Sequence, residues 1–581
     1  MCHLTYAKNS NSNTSSLHYA THDIPIEVVY STSRNETHPL YKTGVLNSSH
    51  ALILEGMMDI PTLNKPGHAG FRRERTEDVT TTPLSAGPDA DLTPWSPTGE
   101  DPWDAAKAAH LLRRSGFGLS SQAIDSLLTS DPATLITAML APTPAPEPPG
   151  NWTTQQPFPT MGNAQLQQYA IWGRELQEWW FTLMEKPEFG LREKMTLFWH
   201  NHFTSEFSVV YVAQYFYLQN KLFRDYAFGS FKELTSKVTV DPCMLRYLDL
   251  GLSVAGNPNE NYPREILELF CIGEGTYLDG TPHYTEFDIV ELSRALTGWV
   301  VDGLQGTFRS TRFDSGQKTI FGQKANFGLG NGGDRDVIEW IFDQTDLDYN
   351  HKRSAIFLCS KLYRWFVYDV PNMEIVAGMA DTLVANNWEV GPVLHQLLTS
   401  KHFFSEDVRG AMIKSPADYV AGAVNSFGLN PDISTTGVNI NRPDTHDPIT
   451  AMNSLAMTLL SPPNVKGWPG GRTWISSVTL PQRIDYAAKW VAPISGSRDY
   501  KFDPVAFLNT IPERDDVHAV LGRLLILLLP IPVGDAMEER LLNTLLGGAP
   551  DYEWDPDHPS TTQRLRSTLV EITRLAEYQL M

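Results

Sequence analysis

The chain has 581 residues, of which 41% are hydrophobic and 11% aromatic, and its formal net charge is -21. That length exceeds one ordinary core, so more than one packed substructure is expected; the acidic balance repels phosphate backbones and argues against nucleic acid as the main partner. The four cysteines, Cys2, Cys243, Cys271 and Cys359, form no C-x-x-C pair, which removes zinc-ribbon and dithiol chemistry and points to reduced, buried thiols.

Residues 1–100 read as an irregular or disordered N-terminal extension, from their clusters of Ser, Thr, Asn and Pro. The opening MCHLTYAKNSNSNTSSLHYATH has no apolar h-region, so no signal peptide is visible, and Met57 and Met58 are alternative starts. Residues 101–490 read as a helical core. It begins with DAAKAAHLLRRSGFG, where Asp104 is an expected N-cap and Gly116 a stop. The Pro-rich APTPAPEPPGNW then reads as an extended spacer. From Gln165 onward apolar residues recur at three- and four-residue spacing.

The stretch EKMTLFWHNHFTSEF holds His200 and His202 one residue apart. Successive helical residues turn about 100°, so a helix running through His202 sends the two rings to opposite sides. A helix ending near Trp199 would leave an extended His-Asn-His with both rings on one side, as a metal-ligand pair requires. Otherwise each ring hydrogen-bonds a neighbouring carbonyl or carboxylate. Next, NPNENYPREILELFCIGEG predicts a helix with Pro263 in its first turn and Gly273 as its stop. Arg264, Glu265 and Glu268 share the face opposite Ile266, Leu267, Leu269 and Phe270. Two carboxylates on one face suit a divalent cation or an acid/base pair, which makes Glu265 and Glu268 the catalytic candidates; a solvated, salt-bridged face has the same pattern.

In GTPHYTEFDIVELSRALTGW, Thr285 and Asp288 form an expected capping box, and His283 is a candidate third metal ligand beside His200 and His202. The segment GTFRSTRFDSGQKTIFGQ, Gly306 to Gln323, predicts a short hairpin around DSGQ. The Pro- and Gly-rich SPPNVKGWPGGRTWISS predicts a rigid loop whose Lys466, Trp468, Arg472 and Trp474 line a binding site or plug the core. Residues 491–581 read as a C-terminal helical extension. Its apolar run LLILLLPIPV is too short to span a bilayer, so no membrane span is expected. No βαβ alternation, G-x-G-x-x-G, P-loop or G-x-S-x-G motif occurs. The fold class is therefore mainly α, a large multi-helix globular bundle with a small β-hairpin insertion.

Taken in order, AHLLRRSGFG, REKMTLFWHNHFT, NPNENYPREILELFCIG, YTEFDIVELSRALTGW, FDSGQKTIFGQ, KLYRWFV, KSPADYV and SPPNVKGWPGGRTW resemble the bacterial family known as domain of unknown function 1800. The similarity runs from about Ala105 to Ile484. It implies a large helical protein, often exported and often encoded beside a sulfatase-like partner, with no established activity. This chain departs from the family at Cys271, where Thr is usual, and in showing no export signal. Two functional readings follow. One is a non-catalytic binding or assembly factor working with a secreted or envelope-associated partner, suggested by aromatic richness and the rigid Trp loop. The other is a metal-dependent, hydrolase-like enzyme, with a divalent metal on His200, His202 and His283 and a Glu as ligand or general base.

Overall fold

The computed structural model describes residues 91–429, 447–492 and 502–581, together with the backbone of three N-terminal strands. The chain divides into two compact units, Met1–Val79 and Thr80–Met581. In the first, β1 (Thr5–Lys8), β2 (Thr14–Thr21) and β3 (Ile24–Ser31) form an antiparallel meander, with Thr5 opposite His18 and Thr14 opposite Ser31. The rest of the expected irregular extension up to residue 90, including Met57 and Met58, lies outside the described residues.

The second unit is mainly α: the fold is 57% helical, with 23 helices among the described residues. Those that build the site are α1 (Ala105–Ser115), α2 (Asn163–Met184), α3 (Gly190–His202), α4 (Ala213–Asp225), α5 (Asn261–Glu265), α6 (Glu286–Ala295), α7 (Arg353–Phe366) and α8 (Pro416–Ser426). Helix α5 continues as a π-helical turn over Ile266–Cys271. Local chemistry sets many boundaries. The Asp104 carboxylate accepts the Lys107 N–H and Gly116 closes α1, while Thr285 with Asp288 and Ser415 with Asp418 form complete capping boxes at α6 and α8.

Helix α3 is buried on nearly every side although it carries Glu193, Lys194, His200 and His202 among its apolar residues. Leu191, Met195, Leu197, Phe198 and Trp199 are all buried. Leu197 joins the apolar cluster that contains Trp180, Tyr419, Leu524 and Leu569. Met195, Phe198 and Trp199 join a second cluster with Ile266, Leu292 and Leu362. The C-terminal helices Val517–Leu528, Asp535–Leu546 and Thr561–Thr573 therefore pack into the same unit as α3. No helix among the described residues is long and apolar enough to cross a membrane. Cys243, Cys271 and Cys359 are buried and free.

Two hairpins flank the DSGQ segment instead of one centring on it. The first pairs β4 (Trp299–Asp302) with β5 (Gln305–Phe308), and the second pairs β6 (Lys318–Ile320) with β7 (Gln323–Ala325). Phe321 and Gly322 take positive φ and make the tight second turn. Asp314 lies between the hairpins; its main-chain N–H donates to the Thr297 hydroxyl and its carboxylate binds the Arg294 guanidinium of α6, both at 2.8 Å.

Candidate functional site

Helix α3 runs through His202, so the two imidazoles leave it in different directions. The His200 ring packs against Trp180 at 5.6 Å and Trp468 at 5.7 Å. The His202 ring stacks on Phe198 and meets the edge of Phe203 at 4.5 Å, and its Nδ1 lies 3.2 Å from the Lys361 ammonium nitrogen of α7. Burial pushes His200 down to about 3. It pushes His202 well below the usual imidazole range too, and the Lys361 charge adds to the effect. Both rings are therefore neutral at physiological pH.

Asn201, between them, pins the Trp loop. Its side-chain oxygen accepts the Trp468 main-chain N–H at 2.7 Å. Gly467 is required for this approach: its φ is +85°, and a Cβ there would overlap the Asn201 side chain. Gly467→Ala should therefore lose about 1–3 kcal/mol of stability and shift Trp468, read as a lower denaturation midpoint and altered tryptophan emission.

Together these segments enclose a cavity of about 280 Å³, near the lower end of the usual size for small-ligand sites. Helix α3 contributes Lys194, Asn201 and His202 to its wall, α7 contributes Lys361, Arg364 and Trp365, the start of α8 contributes Ser415 and Asp418, and the Trp loop contributes Lys466, Trp468 and Trp474. The indole N–H groups of Trp365 and Trp468 are buried without a hydrogen-bond partner. Lys194 is paired with Asp418, and Lys466 with Glu274 at 3.1 Å. Arg364 donates to the Asp369 main-chain carbonyl at 3.2 Å. Nearby, Arg113, Arg114 and Arg483 are buried and Lys414 is partly buried, and all donate to main-chain carbonyls; none of the four has a carboxylate within ion-pair distance among the described residues. Burial pushes Arg113 and Arg114 down to about 9 and Arg483 to about 10. The interior around the cavity is thus rich in cations within an acidic chain.

The other sequence candidates sit elsewhere. His283 binds the Gly273 carbonyl through Nδ1 at 2.9 Å, with Arg353 at 3.2 Å, and does not line the cavity. Arg264 bridges Glu268 and Glu286 at 3.4 and 2.7 Å. Burial, reinforced by Glu268, pushes the Glu265 carboxyl up to about 7. Neither Glu265 nor Glu268 lines the cavity, but Lys466 connects the two places, since its charge also acts on Glu265. Arg472 does not line the cavity but acts electrostatically on Asp369, a cavity residue. Among the described residues, no group of three or more His, Cys, Asp or Glu is placed to hold a metal ion.

Sequence reasoning did not nominate Asn201, Lys194, Lys361, Arg364, Trp365 or Asp418. The signal was present, because each stands inside a block that carries the family resemblance. Nothing in their spacing shows that those blocks meet. Residues 110–580 match the family model described as Protein of unknown function (DUF1800), beyond the point near Ile484 where the quoted blocks end. No curated protein matches the chain, and no solved structure matches it.

Proposed function

The chain belongs to the DUF1800 family, and from that premise we propose that it is a binding protein whose cavity takes a small anionic ligand carrying apolar surface. The observation that carries this reading is the pair of unpartnered indole donors, Trp365 and Trp468, in a wall that also holds Lys361 and Arg364. Buried donors without acceptors are costly unless a bound group supplies the acceptor. The nearby cations favour negative charge on that group. The rings of Trp468 and Trp474 supply the apolar contact.

Benzoate and its neutral counterpart benzamide make the test. Benzoate should raise the thermal midpoint with concentration, as a ligand of the native state does; benzamide should not, and Gly467→Ala should abolish the benzoate effect. Equal stabilisation of wild type and Gly467→Ala, or none by benzoate, overturns the reading.

A second reading concerns a partner. The family resemblance raises an exported, sulfatase-like protein, and one exposed feature suits docking. Leu278 is 91% and Leu347 58% exposed, and the Leu278 N–H to Asp348 hydrogen bond holds the two segments together. Exposed apolar side chains grouped in this way are candidates for a protein contact. Leu278→Asp with Leu347→Asp should then weaken capture of such a partner and leave benzoate binding intact; unchanged capture would reject this surface. The acid-base reading at Glu265 retains one point in its favour, a carboxyl poised near neutrality.

A further inference from the structure

We propose that Lys361 is a carbonyl-capturing amine, condensing in the cavity with a small oxo acid to form a Schiff base; this rests on the anion-binding reading above. Lys361 lines the cavity and donates to the Leu269 carbonyl at 2.7 Å, with His202 Nδ1 at 3.2 Å. Two acceptors match the two N–H groups of a neutral amine and leave its lone pair unengaged. An ammonium would carry a third N–H. The Leu269 carbonyl is available because it stands in the last turn of the π-helical segment, where main-chain acceptors lack partners within the helix.

Lys361 is also distinguished from the other lysines of the wall. Lys194 and Lys466 each have a carboxylate partner. Lys361 has none within ion-pair distance among the described residues, and its nitrogen lies 4.7 Å from the centre of the Phe357 ring. Burial pushes its amine down to about 7 against an opposing contribution from Cys271, and the Arg364 charge acts with burial. A desolvated lysine of this kind is a nucleophile near neutral pH.

In the capture step the Nζ lone pair adds to the carbonyl carbon while the C–O π pair moves to oxygen. Neutral His202 takes a proton from nitrogen through Nδ1 and returns it to that oxygen. The hydroxyl then leaves as water with the second nitrogen proton, and C=N replaces C=O with no change of oxidation state. The carboxylate of the oxo acid is suited to the Arg364 guanidinium and the free indole donors. That combination selects an oxo acid over a neutral aldehyde.

The intact chain is incubated with glyoxylate and cyanoborohydride at near-neutral pH, and the reduced adducts are located by peptide mass mapping. The adduct should form on Lys361 at least ~tenfold faster than on any exposed lysine. Its rate should rise through about pH 7, and Lys361→Arg should lack it. An unmodified Lys361, or one no faster than exposed lysines, overturns the proposal. Benzoate stabilisation, measured on the same samples, separates the two ideas. Benzoate binding without trapping rejects the Schiff base and keeps the anion site, whereas trapping on Lys361 without benzoate binding rejects the anion site and keeps the reactive amine.

Discussion

Glu193→Ala is expected to remove about 3–5 kcal/mol of stability, the usual cost of stripping one partner from a buried ion pair. Glu193 is fully buried on α3. It accepts the Arg224 guanidinium of α4 through both oxygens, at 2.5 and 2.8 Å, and the Trp180 indole N–H of α2 at 2.9 Å. Removing it leaves a guanidinium only 4% exposed without a counter-charge, and an indole donor without an acceptor. The pair Glu193→Leu with Arg224→Leu should recover much of the loss, because an apolar replacement removes the uncompensated charge. Urea denaturation of the single and double variants checks this. A single-variant loss below about 1 kcal/mol would show that α3 does not depend on the pair.

The second large effect is a loss of stability in acid centred on α3. His200 is held at about 3 by burial, while the unfolded chain takes up its proton near the ordinary value of about 6.5. Between those values the unfolded state binds more protons, so stability rises with pH and is fully regained above about 6.5. His200 alone accounts for a loss of up to ~5 kcal/mol on going from pH 7 to pH 3. His202 and His110, also pushed down by burial, act in the same direction. Asp241 and Glu265, pushed up to about 7 chiefly by burial, act oppositely: their folded forms hold protons that the unfolded chain releases, so stability falls as pH rises towards 7. His200→Gln isolates the single contribution. Its unfolding free energy should fall less steeply than that of wild type between pH 6 and 4, by about 1.4 kcal/mol per pH unit. Parallel profiles would mean that His200 is protonated in the folded chain.

These effects share a cause that the one-dimensional pattern conceals. EKMTLFWHNHF reads as a helix with polar residues scattered among apolar ones, and a surface helix would leave Glu193 and Lys194 in water. In the fold both are buried, each opposite one partner: Glu193 meets Arg224, and Lys194 meets Asp418. The partners are ordinary residues of their own helices. Asp418 was legible only as part of the KSPADYV block; its position three residues after Ser415 explains the capping box, and nothing local points to Lys194.

Other features were legible because they depend on near neighbours. The Asp104 cap, the Gly116 stop and the Thr285–Asp288 capping box follow from hydrogen bonds spanning a few residues. The hairpins fall on either side of DSGQ, where Asp314 is held by the distant Thr297 hydroxyl and Arg294 guanidinium. The helical face of NPNENYPREILELFCIGEG was read with a period of 3.6, but a π-helical turn intervenes. That turn belongs to the segment whose Leu269 carbonyl meets Lys361.

The mainly α class, the family and several helix boundaries were legible along the chain, because helical periodicity and capping are short-range and repeated many times. Tertiary structure alone decided that His200 faces Trp468, that His202 meets Lys361, and that Trp365, Trp468 and Arg364 share one cavity. Those relations join side chains up to hundreds of positions apart. They are set by which apolar faces bury one another, and spacing along the chain carries no record of that choice.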